Sequence, residues 1–160
     1  MNACEGCNSV APPSHPRTPR AVAIVGPPNS GKSTLFNRLS GLRQKVANYP
    51  GVTVEQRLGH ARINGGGEVV LIDLPGLYSL TPRSEDERVA RDVLSGEMRD
   101  CPCPEAVLLV LDATCLARHL ALAAPILGFG LPCLVVVNMA DELRHRGGAV
   151  DVEALGRELG

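Results

Sequence analysis

Residues 26–33 read Gly-Pro-Pro-Asn-Ser-Gly-Lys-Ser, and this stretch decides the fold of the chain. It has the spacing G-x-x-x-x-G-K-[ST], in which backbone N–H groups and a lysine surround nucleotide phosphates. The apolar run Ala21–Val25 precedes it and predicts a buried strand, and residues 32–39, followed by Gly41, predict a helix after it. Because an ordinary Gly/Pro turn or a chance match rarely falls between such a strand and such a helix, we interpret it as a phosphate-binding loop.

The residue types of this loop fit the chemistry of a nucleoside phosphate. Gly26 and Gly31 allow backbone N–H groups to turn toward a β-phosphate at a helix N-terminus. Lys32 supplies a positive charge that can reach the β- and γ-phosphates, and the Ser33 hydroxyl is a hard oxygen ligand suited to Mg²⁺. The other candidate binding residues of the loop are Pro27, Pro28, Asn29, Ser30 and Thr34.

Length and composition exclude several classes of protein. The chain has 160 residues, enough for one domain with its own core, and its net charge of −1 gives no reason to expect nucleic acid as a partner. Aromatic residues make up 2% and tryptophan is absent, so we expect an aliphatic core. The sequence lacks a run of about 18 apolar residues and an apolar signal segment, so we expect a cytoplasmic chain without a membrane span.

Residues 1–20 are rich in Pro and Ser, and we expect them to form a disordered leader. Cys4 and Cys7 have the spacing of a metal-ligand pair, but zinc sites usually need four ligands, so free thiols and a weak metal or redox site remain alternatives. Cys115 and Cys133 lie in apolar segments, where we expect small core residues. The histidines, for which we expect solvated or capping roles, are His15, His60, His119 and His145.

The remaining pattern alternates strands with helices and predicts an α/β fold with a mostly parallel sheet. The glycine run at 64–67 predicts a hairpin between two of the strands, and Ser84 with Glu87 predicts a capping box. Residues 42–53 and 74–83 predict two mobile loops. The predicted strands are 54–63, 68–73, 106–111 and 131–137, and the predicted helices begin at 84, 115 and 151 and end at about 94, 127 and 159.

Asp73-Leu-Pro-Gly76 follows a predicted strand, and ligands of such sheets bind beyond the carboxyl ends of the strands. The Asp73 carboxylate can hold Mg²⁺ through water, and Gly76 offers a backbone N–H to a γ-phosphate. Leu74 and Pro75 complete this candidate binding segment. A plain Pro-Gly turn is the alternative.

Asn138-Met-Ala-Asp141 follows another strand and has the spacing for guanine recognition. The Asp141 carboxylate can accept from guanine N1–H and the exocyclic amine, whereas adenine would leave the carboxylate unpaired at a cost in free energy. An Asx-rich turn is the alternative. Thr53 is a candidate second Mg²⁺ ligand or a simple strand residue, and its neighbours Gly51 and Val52 are candidate binding residues.

Together these residues resemble the G domain of the prokaryotic ferrous iron transporter FeoB, from about residue 21 to residue 160. The resemblance implies a Ras-like P-loop GTPase fold with one antiparallel hairpin strand. The stretches that carry it are Pro28-Asn-Ser-Gly-Lys-Ser-Thr-Leu-Phe-Asn37, Asn48-Tyr-Pro-Gly-Val-Thr-Val-Glu55, Asp73-Leu-Pro-Gly-Leu-Tyr-Ser-Leu80 and Asn138-Met-Ala-Asp141.

The resemblance also implies roles for single residues. Thr53 becomes a Mg²⁺ ligand in switch I together with Ser33 and Asp73, while Asp73 and Gly76 mark switch II. Asn29, with the carbonyls of Ala47 and Tyr49, becomes a K⁺ site that supplies charge to the phosphates. The residues that the resemblance places in guanine recognition are Asn138, Met139 and Asp141. Those that it places at the reacting phosphates are Asn29, Lys32, Thr53 and Gly76.

The resemblance implies a module that binds GTP and GDP with Mg²⁺ at the cytoplasmic face of the bacterial inner membrane. Its partner there is a membrane-embedded permease portion that takes up Fe²⁺. Pro27 departs from the family, which usually has Asn there. Leu77 follows Gly76 where Ras-like enzymes carry a water-orienting Gln, so we expect slow intrinsic hydrolysis.

Several expectations remain open at the level of sequence. A Ras-like G domain has one more strand and helix than the pattern provides, so we expect strand 134–137 to lie at an unpaired edge and the chain to be marginally stable. A free-standing Era-like GTPase is an alternative, although it normally carries Asn-Lys-x-Asp and a basic RNA-binding appendage. A fragment with impaired nucleotide binding is another, and a homo-oligomer is left open.

Overall fold

The structure, a computed structural model, describes residues 21–41, 44–63 and 67–160. The predictions for the leader, with Cys4, Cys7 and His15, and for the glycine turn at 64–66 fall outside these residues. Within the part of the chain that is described, no helix has the length and apolar character needed to cross a bilayer.

The described residues form a six-stranded, mostly parallel sheet flanked by helices. The strands are β1 Ala21–Val25, β2 Gln44–Asn48, β3 Glu55–Arg62, β4 Glu68–Asp73, β5 Ala106–Asp112 and β6 Cys133–Asn138. Their order across the sheet is β2-β3-β4-β1-β5-β6. β1 runs parallel to β4 and β5, and β5 runs parallel to β6, whereas β3 is antiparallel to both β2 and β4. The predicted α/β class with an antiparallel hairpin is confirmed.

Local sequence signals set the ends of the helices. The helices are α1 Lys32–Ser40, α2 Glu85–Leu94, α3 Leu116–Leu127, α4 Ala140–His145 and α5 Val152–Leu159, and a 3-10 turn, Ala113–Cys115, precedes α3. The predicted capping box opens α2: the Ser84 hydroxyl accepts from the Glu87 N–H at 3.2 Å, and the Glu87 carboxylate accepts from the Ser84 N–H at 3.1 Å. The Asp151 carboxylate caps α5 with a single bond, by accepting from the Ala154 N–H.

The core lies on both faces of the sheet, because successive residues of β1 point to opposite sides. Ile24 packs with Phe36 of α1 and with Val69, Leu71 and Val110. The larger cluster on the other face contains Ala23 and Val25 of β1 together with apolar residues of α2 and α3. Burial of a side chain such as Phe36, which is 0% exposed, contributes about 1.5–3 kcal/mol to folding.

Two elements differ from the prediction. Residues 44–48, placed in a mobile loop by the sequence, form β2, in which Ala47 is paired with Gln56 of β3. All five residues of β2 are exposed, so no alternation of apolar and polar residues marks the strand. The short helix α4 was also missed, and it has no buried residue that could produce an apolar stripe.

The burial of two single residues differs from the prediction. Cys115 is exposed because it ends the 3-10 turn before α3, whereas the sequence placed it in the core. For His119 the solvated alternative is wrong, since the residue is only 5% exposed, while nothing contradicts the capping alternative. His119 lies on the buried side of α3, and its Nδ1 accepts from the Asp112 N–H at 3.2 Å.

Candidate functional site

The phosphate-binding loop lies between β1 and α1, where the sequence predicts it. Its glycine Gly31 has a φ of 86°, and Asn29 has a φ of 63°, a left-handed conformation that Asn tolerates better than most residues. A cavity of about 500 Å³ opens above the loop. The residues that line it are Pro27, Pro28, Asn29, Gly31, Lys32, Ser33, Thr34, Gly76 and Met139.

Lys32 and Asp73 form a buried ion pair at the floor of this site. The Lys32 Nζ lies 3.1 Å from the Asp73 Oδ1, and the two side chains are 9% and 5% exposed. The Ser33 hydroxyl donates to the Asp73 Oδ2 at 3.4 Å. The first turn of α1 and the carboxyl end of β4 therefore bring together one positive charge, one carboxylate and one hydroxyl.

A second cavity of about 380 Å³ continues from the ion pair toward β3 and α2. Thr53, predicted as a Mg²⁺ ligand, lines it together with Ser33 and Asp73. The Thr53 hydroxyl, however, donates to the Glu85 carboxylate of α2 at 3.3 Å. Thr53 thus lines the same cavity as Ser33 and Asp73, while its hydroxyl is hydrogen-bonded to α2.

The switch II loop (residues 74–83) is tied to the phosphate-binding loop by main-chain hydrogen bonds. The Leu74 N–H donates to the Ile24 carbonyl at 3.1 Å, and the Leu77 N–H donates to the Gly26 carbonyl at 3.1 Å. Between these bonds, a Cβ added to Gly76 would come within 2.9 Å of the Pro28 ring. A glycine at 76 therefore allows the two loops to touch.

The candidate base-recognition segment is joined to the phosphate-binding loop by one side chain. The Asn138 Nδ2 donates to the Ser30 carbonyl at 2.9 Å, and a Cβ added to Gly31 would lie 2.1 Å from that nitrogen. Met139, with a φ of 58°, turns the chain from β6 into α4 and lines the first cavity. Asp141 is exposed in the first turn of α4.

The predicted K⁺ ligands are not gathered in one place. Asn29 lines the first cavity, but neither Ala47 nor Tyr49 lines either of the two cavities as the described residues define them. The Tyr49 carbonyl accepts from the Val52 N–H at 3.3 Å. Gly51, which lies between Tyr49 and Val52, is exposed and has a φ of 79°.

The Tyr49 side chain anchors the switch I loop (residues 49–54) in the core. Its ring is 1% exposed and belongs to the larger core cluster. Burial raises the pKa of Tyr49, and nearby Cys101 and Asp73 add to the shift. The main-chain pair between the Tyr49 N–H and the Val54 carbonyl, at 2.9 Å, closes the base of the loop.

A cluster on the other side of switch II was not predicted from the sequence. The Arg118 guanidinium carbon lies 4.6 Å from the centroid of the Tyr78 ring, and the His119 ring lies 6.3 Å from the same ring. Arg118 and His119 are neighbours on α3, a segment whose sequence is dominated by apolar residues. One Arg and one His in such a segment carry no pattern that would connect them with Tyr78.

Comparison with known proteins agrees with this geometry. The sequence model of the family described as Ferrous iron transport protein B matches residues 20–160. The chain belongs to this family. Over 87% of its length, the chain is 44% identical to the Fe(2+) transport protein A/Fe(2+) transporter FeoB fusion protein of Porphyromonas gingivalis. Over the same share, it is 42% identical to the Fe(2+) transporter FeoB of Salmonella typhimurium. It spans only 16% and 18% of their lengths.

Solved FeoB structures share the fold. The cytosolic domain of T. maritima FeoB in a GDP form has a TM-score of 0.79 and 39% identity, with 91% of this chain and 55% of that chain covered. An S. thermophilus NFeoB mutant bound to mGDP has a TM-score of 0.78 and 37% identity, covering 88% and 51%. The G domain of T. maritima FeoB has a TM-score of 0.68 and 35% identity, covering 87% and 95%. The chain therefore carries the G domain of an FeoB protein, with its P-loop GTPase fold.

Proposed function

We propose that this chain binds GTP and GDP together with Mg²⁺, hydrolyses GTP slowly, and in this way controls ferrous iron uptake by the membrane-embedded portion of an FeoB system. The observation that carries the proposal is the hydrogen bond between Asn138 and the Ser30 carbonyl. It joins the base-recognition segment to the phosphate-binding loop across 108 residues of sequence. A site with these two parts fixed to each other fits a guanine nucleotide as one rigid unit.

The phosphates would occupy the first cavity. Lys32 lies on its wall, and the loop backbone around Gly31 opens toward it at the N-terminus of α1. The Lys32 ammonium group is already desolvated beside the cavity, where it is paired with Asp73. When a triphosphate binds, this ammonium group would contact both a phosphate oxygen and the Asp73 carboxylate. Gly76 lines both cavities, so its N–H is the group that we assign to a γ-phosphate.

The oxygen atoms of Ser33 and Asp73 fit Mg²⁺, since both are hard ligands and lie next to the phosphate cavity. Bound there, Mg²⁺ would neutralise phosphate charge. Thr53 is the third candidate ligand, and it lines the same cavity as the other two. Its hydroxyl donates to Glu85 and keeps lone pairs that could bind the ion. We propose that switch I moves to bring this oxygen to the ion when a triphosphate binds.

We assign guanine selectivity to Asp141, with Asn138 and Met139 shaping the pocket. Asp141 is exposed in the first turn of α4, where it is free to accept from guanine N1–H and the exocyclic amine. Adenine offers no matching donors, so ATP should compete poorly.

Hydrolysis should be slow for a reason visible in switch II. Leu77, at the position after Gly76, is 2% exposed and packs in the core, so its side chain cannot orient a water at the phosphate. We retain the proposal that K⁺, held near Asn29, raises the rate by adding positive charge. Because the carbonyls of Ala47 and Tyr49 would have to approach, K⁺ binding also requires movement of both the end of β2 and switch I.

The coupling to iron rests on the family. The chain spans only 18% of the length of the relative named Fe(2+) transporter FeoB from Salmonella typhimurium, and we place the permease partner in the part that the chain does not span. We propose that nucleotide-dependent movement of the switch loops is passed to that partner. The S. thermophilus and T. maritima structures bound to mGDP or in a GDP form support the nucleotide class.

Equilibrium binding of fluorescent GDP and GTP analogues tests this proposal. We expect tight, Mg²⁺-dependent binding that unlabelled GTP displaces and ATP does not, together with slow phosphate release that is faster in K⁺ than in Na⁺ buffer. Ser33→Ala should remove most of the Mg²⁺ dependence, whereas Ser95→Ala, on the exposed end of α2, should leave it unchanged. Equal displacement by ATP and GTP would contradict the guanine assignment, and binding unaffected by EDTA would contradict the metal assignment.

A further inference from the structure

We propose that Arg118 is a positioning residue for switch II: its guanidinium holds the Tyr78 ring against α3 and thereby keeps Gly76 at the phosphate cavity. The inference rests on the proposed function, because it names the structural cause of triphosphate recognition at that same site. It concerns a contact that lies outside the phosphate, magnesium and guanine contacts described above.

The contact itself has the geometry of a cation–π interaction. The Arg118 Cζ lies 4.6 Å from the Tyr78 ring centroid, within the distance at which a guanidinium is attracted to the face of an aromatic ring. Tyr78 is 48% exposed and Arg118 is also exposed, so the pair lies at the surface and can open without unfolding the core. It joins a loop residue to a residue on the third helix.

The Tyr78 ring is connected to the phosphate site by only two residues. Leu77, its neighbour, is buried, and its N–H donates to the Gly26 carbonyl at 3.1 Å. Gly76 comes next, and it lines both cavities in close contact with Pro28. A restraint on Tyr78 therefore limits the freedom of the main-chain segment that presents Gly76 to a phosphate.

His119 supports the same ring from the buried side of α3. It is 5% exposed, and its ring lies 6.3 Å from the Tyr78 ring with an interplanar angle of 43°. Its Nδ1 accepts from the Asp112 N–H at 3.2 Å, which fixes the orientation of the imidazole at the carboxyl end of β5. Tyr78 thus lies against a surface whose buried half is held by β5 and whose exposed half is Arg118.

This arrangement predicts a specific effect on nucleotide preference. GDP has no γ-phosphate to contact Gly76, so release of Tyr78 should leave GDP affinity nearly unchanged. Affinity for a non-hydrolysable GTP analogue should fall by about two- to five-fold, the range expected for loss of a cation–π contact at an exposed site. The ratio of the two affinities is a readout that a general loss of stability would not change.

The experiment compares these two affinities in the full chain and its variants. Arg118→Met and Tyr78→Leu should each lower the GTP-analogue to GDP affinity ratio, and the double variant should lower it no further, because both remove one contact. Arg118→Lys and Tyr78→Phe should keep most of the ratio, since each preserves a cation over a ring. Arg157→Met, an exposed residue of α5, is the matched control and should have no effect.

A fluorescence measurement tests the contact without nucleotide. The chain has no tryptophan, so Tyr78→Trp introduces a single reporter at this position. Adding Arg118→Met to that variant should increase quenching by acrylamide, while melting curves of both variants stay within a few degrees of each other.

The outcomes separate the two proposals. Quenching that does not respond to Arg118→Met, or an affinity ratio that stays constant in Arg118→Met, overturns the positioning role. Failure of the unaltered chain to bind any guanine nucleotide would refute the proposed function and with it the inferred effect on nucleotide preference, while the quenching result would still decide whether the contact exists.

Discussion

The two ends of the candidate nucleotide site are held by different means. At the phosphate end, Lys32 and Asp73 extend from α1 and β4 beside the centre of the sheet, and both are nearly buried. At the base end, Asp141 is exposed on α4, a helix without a buried residue, which follows the edge strand β6. The core itself holds the phosphate end, whereas no residue of α4 at the base end is buried.

One hydrogen bond compensates for this difference. The Asn138 side chain ties the base end to the Ser30 carbonyl, so the buried half positions the exposed half. We therefore expect changes at the phosphate end to affect all nucleotides, and changes at the base end to affect the choice among them. Three substitutions test this contrast, and a fourth tests the edge strand that precedes the base end.

The largest effect is expected for Lys32→Met. It removes the charge that contacts phosphate oxygens and leaves the Asp73 carboxylate buried without its partner. Charge-assisted hydrogen bonds contribute about 1.5–3 kcal/mol each, so GDP and GTP affinities should both fall by about 10²-fold or more. Titration of a fluorescent GDP analogue measures the loss, and Lys45→Met on exposed β2 is the control. A fall of less than about three-fold would refute the role of Lys32.

Asp141→Asn should change selectivity more than it changes folding. The substitution replaces an acceptor of two guanine hydrogen bonds with a group that can accept from N1–H and donate to a carbonyl, the pattern of xanthine. We expect guanine nucleotide affinity to fall by about 10²-fold and xanthine nucleotide affinity to rise. Competition of xanthosine diphosphate with labelled GDP, in the unaltered chain and in Asp141→Asn, measures this change in preference. An unchanged order of preference would contradict the assignment.

Asn138→Ala should have a smaller effect on the connection between the two ends. Loss of one neutral hydrogen bond lowers stability by about 0.5–1.5 kcal/mol, so we expect GDP to bind about two- to ten-fold more weakly. The affinity for inorganic pyrophosphate, which lacks a base, should be the same before and after the change. The control is Asn37→Ala, an exposed asparagine at the end of α1. Equal weakening for GDP and pyrophosphate would mean that Asn138 supports the phosphate end alone.

The smallest effect on stability is expected for Leu134→Lys. Leu134 is 65% exposed on β6, an apolar edge strand in the part of the chain that the structure describes. A lysine on such an edge discourages strand-to-strand association, so self-association should fall while the free energy of unfolding changes by less than about 0.5 kcal/mol. Sedimentation velocity and urea unfolding measure the two quantities.

Leu39→Lys is the matched control for this change. Leu39 is 44% exposed on α1, which packs against β1, β3 and β4, and the substitution adds the same charge. If both substitutions lower self-association equally, net charge rather than the β6 edge is responsible.

The sequence predicted the phosphate end better than its surroundings. The phosphate-binding loop and Asp73 were placed correctly relative to the sheet, because glycines at fixed spacing and buried apolar runs leave a clear pattern. β2 was missed because its side chains are all exposed, and main-chain pairing with β3 leaves no pattern in side-chain type. The residue roles within the site remain predictions.

Contacts between distant segments were the other limit. The Thr53 bond to Glu85 spans 32 residues, and the contact of Arg118 with Tyr78 joins a helix to a loop. His119 was predicted to be solvated or capping, and its burial was missed because a single histidine in an apolar helix does not reveal which face it occupies. Such contacts depend on how elements pack, which neither propensity nor periodicity encodes.

The close approach of Gly31 to the Asn138 amide has a consequence for protein engineering. A Cβ at 31 would lie 2.1 Å from that nitrogen, so the glycine of one motif makes room for the asparagine of the other. A graft of this phosphate-binding loop into another scaffold would therefore need to carry the asparagine and its strand end as well. The two motifs should be exchanged between homologues as a pair, and chimaeras that split them should lose ligand-dependent protection against proteolysis.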